Sequence, residues 1–200
     1  MIGVLTALLF ACATSATAES GVRVTAGVTR SSLFDASGWS GGLGYRFGAS
    51  VRLPLFAGVW FEPEIAWARR TTVATSAVDG GTLKSRIALQ YLEAPMLVKR
   101  CVLRQRRFAP IVLGGLYYAA NLTASVHTEV GGHAFDENAR SEVKRHDAGW
   151  IAGGGVEFQK AQRTWTVEVR YLAGFGSINR MVTSDRWRTR SLTTTVGMKW

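Results

Sequence analysis

Charge is scarce in this sequence. Asp, Glu, Lys and Arg make up 19% of its 200 residues, against about 25% in an average soluble domain. With hydrophobic residues at 47%, that composition excludes a disordered chain. Proline is scarcer still, with four residues, and cysteine is limited to Cys12 and Cys101. Beyond residue 18 a single thiol remains, which excludes an internal disulfide and a cysteine-rich zinc site. No apolar run after residue 18 approaches the roughly 20 residues that a transmembrane helix needs. What the chain has in quantity is glycine, 22 residues, with seven Trp, five Tyr and nine Phe. Many glycines, scattered aromatics and few prolines suit a β-protein better than a helical bundle. The net charge of +10 fits an anionic partner and does not set a fold.

Residues 1–18, MIGVLTALLFACATSATA, carry no charged side chain, and Ile2 to Ala11 is apolar. Ala16-Thr17-Ala18 forms a small-x-small cleavage site ahead of Glu19. This is the layout of a secretory signal peptide without its usual basic front end. The sequence therefore predicts export, with 1–18 as leader and 19–200 as one domain.

The rest reads as period-2 segments broken by turn residues. Strands are predicted near 21–33, 38–54, 59–73, 84–100, 107–126, 146–159, 164–175 and 187–200. In the first, Val22, Val24, Ala26 and Val28 oppose Arg23, Thr25, Gly27 and Thr29. In the seventh, Trp165, Val167, Val169 and Tyr171 oppose Thr166, Glu168 and Arg170. The fourth is less regular: Ile87, Leu89 and Tyr91 share one phase while Leu92, Met96 and Val98 share the other, so a bulge is expected near Tyr91.

A soluble barrel turns its apolar face inward, and a membrane barrel inverts this. Three features favour inversion. The polar face is rich in glycine (Gly42, Gly44, Gly48, Gly149, Gly153, Gly155), which suits a crowded interior. Its charges have both signs: Arg46, Arg52, Arg86, Lys99 and Arg170 with Glu62, Glu64, Glu93, Glu157 and Glu168, joined by Arg23 and Lys199. Opposed charges pair across a lumen and offset the cost of burying them. Large aromatics sit near segment ends, and Trp39, Trp60, Trp67, Trp150, Trp165, Trp187 and Trp200 are the expected membrane girdle. Longer connections are expected near 74–83, 127–145 and 176–186. The fold expected is all-β, an eight-stranded antiparallel up-and-down transmembrane barrel. In hydrocarbon every strand edge must be paired, so an open sheet fails.

Several motifs carry a resemblance. Tyr91-Leu92-Glu93-Ala94-Pro95, with a closing Lys99, resembles a strand of the small outer-membrane β-barrel (porin) family. Asp147-x-Gly149 and Gly153-x-Gly155-x-Glu157, then Glu168-Val169-Arg170-Tyr171, resemble later strands of that family. The stretch from Arg190 to the terminal Trp200 resembles its closing strand. The resemblance spans about residues 20–200. It implies a fold and an outer-membrane location, and an aromatic end similar to the signal read by the outer-membrane assembly machinery. It implies no single activity, and no cofactor.

Catalysis has little to stand on. His127, His133 and His146 fall in or beside the longest connection, but their spacing matches no ligand motif. A rim hydrolase using His146 and Asp147 is the sharp alternative. Glycines 153–155 lack the Lys-Ser/Thr of a phosphate loop. Nucleic-acid binding is disfavoured because the aromatics lie on the apolar face. Near the long-connection end, Arg69, Arg70, Arg140, Lys144, Arg145, Arg180, Arg186, Arg188 and Arg190 gather, and guanidinium groups suit lipid A phosphates. The expected function is a monomeric, non-enzymatic barrel with a structural, envelope-stabilising or surface-interaction role, in contact with outer-membrane lipid and lipopolysaccharide. A porin-like pore is the nearest variant. A soluble exported lipid-binding barrel is the other alternative.

Overall fold

The computed structural model describes residues 21–34, 39–56, 58–78, 81–103, 108–130, 133–140, 143–160, 162–178 and 188–200. The expected leader, and Arg180, Arg186 and Trp187, lie outside the described residues. The described chain runs β1 Gly21–Phe34, β2 Trp39–Phe56, β3 Val59–Val78, β4 Gly81–Cys101, β5 Phe108–Val130, β6 His133–Asn138, β7 His146–Lys160, β8 Arg163–Gly174 and β9 Arg188–Lys199. Every pairing is antiparallel. The order β4-β3-β2-β1-β9-β8-β7-β5 returns on itself through β4–β5. Eight strands thus close a barrel, and β6 adds to the far end of β5 outside the ring.

The two-residue alternation fixes which way each side chain points. On β1, Arg23, Thr25, Thr29 and Ser31 are buried while Val22, Val24 and Val28 are exposed. On β9, Thr193 and Thr195 are buried between the exposed Leu192 and Val196. Phe47, Val51, Ile65, Val112 and Val167 are exposed too. The barrel is apolar outside and polar inside, which rules out the soluble lipid-binding alternative: its apolar face would point inward.

Strand β4 has the expected irregularity beside Tyr91, but the extra residue is on its partner strand. Its inward phase is continuous: Ile87, Leu89, Tyr91, Glu93, Leu97 and Lys99 are buried and Leu92, Met96 and Val98 are exposed, with Ala88 covered as well. The irregularity lies across the ladder, where Gln90 pairs with Thr123 and Tyr91 with Asn121, leaving Leu122 of β5 as the extra residue. Both phases of β4 are apolar because the lumen near the long-connection end is itself apolar. There Ile87, Leu89, Tyr91, Tyr117, Ala119 and Ala124 pack with Ala139, Val143 and Ile178 of the connections. A hydrogen bond from Lys144 N to Ile178 O (2.7 Å) ties the two connections together. Pro63 and Pro95 also find a place: the β3–β4 pairs run from Pro63↔Met96 to Ala66↔Glu93, so Pro95, which has no N–H to donate, falls in a gap of the ladder.

Within the expected loop at 74–83, residues 74–78 and 81–83 instead continue the sheet, since β3 and β4 pair as far as Val78↔Gly81. β3, β4 and β5 span 20, 21 and 23 residues, against 12 each for β8 and β9. A bilayer needs about 9–11 residues per strand. The surplus, widened by β6, rises from one side of the barrel as a wall. The opposite end has the tight turns and both described chain ends, which is the periplasmic end of such barrels.

Glycine is required where strands approach closely inside. A Cβ on Gly155 would meet the Val167 carbonyl oxygen at 2.2 Å, whereas one on Gly176 would have nothing within 4 Å. Gly155→Val is expected to destabilise the barrel by about 1–3 kcal/mol and to deplete the compact, heat-modifiable gel band. Gly176→Ala should leave that band unchanged.

Candidate functional site

The inward side chains of the charged strands meet in one network on the barrel axis. At the periplasmic end, Glu62 of β3 accepts from Lys99 of β4 (3.0 Å), Ser50 of β2 (2.9 Å) and Trp60 Nε1 (3.1 Å), with the Arg23 guanidinium of β1 3.2 Å away. Glu157 of β7 pairs with both Arg23 and Arg52. One step up, Glu168 of β8 accepts from Arg23 (2.9 Å), Lys99 (2.5 Å) and Arg170 (2.8 Å). Glu64 accepts from Arg46 (2.6 Å), Arg170 (2.7 Å) and Thr25 (3.0 Å). Glu93 bridges Arg46 (3.1 Å) and Arg70 (2.6 Å). The chain of contacts ends at Asp147, which accepts from Thr189 (2.8 Å), Tyr117 (3.1 Å) and Arg70 (3.4 Å).

Arg23, Arg46, Arg52, Arg70, Lys99 and Arg170 thus face Glu62, Glu64, Glu93, Asp147, Glu157 and Glu168. Lys99 and Glu62 are wholly inaccessible, and Arg23 and Arg170 are 1% exposed. A lone buried ion is penalised by several kcal/mol. Here each carboxylate has at least two donors, so the acidic side of the network is satisfied, while the buried Arg23 Nε and Arg52 Nε have no hydrogen-bond acceptor among the described residues. The strands position it by period alone: Glu62 and Glu64, or Glu168 and Arg170, are two residues apart and share a face.

The structure revises several sequence-based assignments. Arg86 is exposed on the β4 extension and takes no part in the lumen network. Arg70, grouped by sequence with the lipopolysaccharide rim, is buried in the lumen over the Tyr91 and Tyr117 rings, at 4.9 and 5.4 Å. Trp60, expected in the girdle, is 4% exposed and turned inward, with the Arg52 guanidinium 4.2 Å from its ring centre. Asp147 and Arg70 were missed as network members. The signal that places Asp147 is its phase, shared with Gly149, Gly153 and Glu157.

Of the other girdle residues, Trp67 packs outward with Tyr45 (5.3 Å) and Phe47 (6.4 Å), and Trp150 packs with Tyr171 (5.4 Å). Trp165 is half-buried and Trp200 is exposed at the periplasmic end. Trp39 opens β2, but its side chain lies outside the described residues. Arg140, Lys144 and Arg145 are exposed beside the outer end, and Arg188 and Arg190 are half-buried on β9. His146 lies on the outer surface, its Nδ1 2.6 Å from the Tyr118 hydroxyl, while its neighbour Asp147 points into the lumen. The two residues of the suggested catalytic pair therefore sit on opposite faces. Among the described residues no group of three or more His, Cys, Asp or Glu is placed to hold a metal ion.

The sequence matches the outer membrane protein beta-barrel domain over residues 13–180. The chain belongs to that family. The outer membrane is its location. Among solved structures it is similar to Neisserial surface protein A, at 14% identity and a TM-score of 0.52, covering 91% of this chain and 99% of that one. It is also similar to OprG from Pseudomonas aeruginosa (13%, TM-score 0.48, 90% and 95%). A third is Ail, the attachment invasion locus protein of Yersinia pestis (10%, TM-score 0.45, 91% and 99%). At these identities the likeness is one of fold. No curated protein sequence matches the chain.

Removing one member of this family barrel's network strands its partners. Glu62→Ala leaves Lys99 and Arg23 short of a buried carboxylate and is expected to cost about 3–5 kcal/mol in urea unfolding from lipid vesicles. Arg86→Gln should change stability by less than about 0.5 kcal/mol.

Proposed function

We propose that the protein is a sealed outer-membrane barrel with a structural and surface-interaction role, without catalysis and without steady conductance. The observation that carries this reading is the filled lumen. Eight strands leave room for little more than side chains, and here that room is taken by Arg23, Glu62, Lys99, Glu168 and Arg170 below and by the apolar cluster around Tyr91 and Tyr117 above. What remains free for interaction lies outside: the wall of β3, β4, β5 and β6, which carries exposed Phe135 and Arg86. An open β-edge of this kind, presented above a rigid base, suits binding of another surface. The exposed apolar strand faces support outer-membrane lipid as the immediate partner. The continuous pairing of β9 with both β8 and β1 fits delivery by assembly machinery that reads the closing strand.

Contact with lipopolysaccharide is the second part of the proposal, and Arg140, Lys144 and Arg145, all exposed near the outer end, favour it. Arg188 and Arg190 are its half-buried neighbours on β9.

In planar bilayers the purified protein is expected to give no steady single-channel current, and large stable steps would restore the porin-like reading. Neutralising Arg140, Lys144 and Arg145 together is expected to increase polymyxin sensitivity of cells that carry the protein. An unchanged response would remove the lipopolysaccharide contact.

A further inference from the structure

The lumen and the wall leave the outward surface at the periplasmic end without a role. There β7 and β8 close on each other through a tight turn in which Gln162 adopts a φ of 62°, a conformation uncommon for a residue with a side chain. The register sets Lys160 opposite Arg163, Phe158 opposite Trp165 and Val156 opposite Val167. Phe158, Lys160, Arg163 and Trp165 line an open recess. Phe108 of β5 flanks it, its ring centre 6.4 Å from that of Phe158.

Two like charges placed directly across a ladder destabilise it. Lys160 and Arg163 are both exposed, and among the described residues no carboxylate pairs with either. Arg163 instead points Nη1 at the Met198 sulfur, 3.5 Å away, a weak acceptor. An anion between the two cations would relieve their repulsion. Below them the aromatic pair sits at headgroup depth, as interfacial Trp does. Further into the membrane, Val156 and Val167, 37% and 39% exposed, continue as an apolar lane along the same two strands.

We propose that this recess is a binding site for one anionic phospholipid of the periplasmic leaflet. Its phosphate lies between Lys160 and Arg163, its glycerol lies against Trp165 and Phe158, and an acyl chain follows Val156 and Val167. Guanidinium and ammonium groups suit a phosphate, and basic residues next to a bilayer favour anionic lipid. The site is at the opposite end of the barrel from the cations assigned to lipopolysaccharide, and its role does not depend on theirs.

The test is lipid retention by the full chain, extracted in detergent and followed by native mass spectrometry in the presence of phosphatidylglycerol or phosphatidylcholine. The wild-type protein is expected to retain one phosphatidylglycerol in preference to phosphatidylcholine, and to lose it as salt is raised. K160Q/R163Q should weaken phosphatidylglycerol retention about tenfold or more while keeping heat-modifiable mobility. K160R should retain the lipid. Equal retention of the two lipids overturns the proposal. So does unchanged phosphatidylglycerol retention in K160Q/R163Q, and so does salt-insensitive retention by the wild type. Displacement of the lipid by inorganic phosphate would make the site one for a free anion, and would overturn it as well.

Discussion

Inside a bilayer a strand's N–H and C=O groups have no partner except another strand. Closure of β4 onto β5 meets that demand and sets everything else. With eight strands the enclosed space is narrow, and the two-residue period sends every second side chain into it. The outward half must be apolar to face lipid. The inward half is free to be polar, but only if its polar groups satisfy one another. The Glu62, Glu64, Glu93, Glu157 and Glu168 carboxylates do so by sharing guanidinium and ammonium donors from strands on all sides. The network is therefore both a consequence of closure and a clamp on it. Arg23 of β1, for instance, links β3, β7 and β8 across the lumen.

Much of this was legible in the sequence, because period and face are properties of consecutive residues. Val22, Val24 and Val28 against Arg23, Thr25 and Thr29 announce one strand with two unlike faces. Glu157, Glu168 and Arg170 announce which face is inside. What was not legible depends on height along the barrel. Ile87, Leu89 and Tyr91 share the lumen face with Glu93 and Lys99, and no local pattern says that the lumen changes from ionic to apolar there. Trp60 reads as an interfacial aromatic until its indole is seen donating to Glu62. Arg70 adjoins Arg69 in sequence, yet the alternation sends it inward to Glu93 while Arg69 lies on the opposite face. The stretch 74–83 reads as a loop because its Thr, Ser and Gly residues suit turns; cross-strand pairing makes 74–78 and 81–83 sheet.

The two ends of the barrel differ in what they offer. Toward the outside, the long β3, β4 and β5 exceed the length a bilayer needs. Toward the periplasm, the turns are tight, and the cations of the β7–β8 hairpin meet lipid headgroups instead of protein carboxylates. Between them lie the ion-pair network and the apolar cluster around Tyr91 and Tyr117, which fill the lumen.

Spin labels at Phe47, Val167 and Val196, in a chain with Cys101 replaced by Ser and reconstituted in vesicles, test the inverted polarity most directly. High accessibility to dissolved oxygen and low accessibility to a water-soluble nickel complex at all three positions is the predicted result. Labels shielded from oxygen, or open to the nickel complex, would place those side chains inside the barrel or in water and would contradict the account.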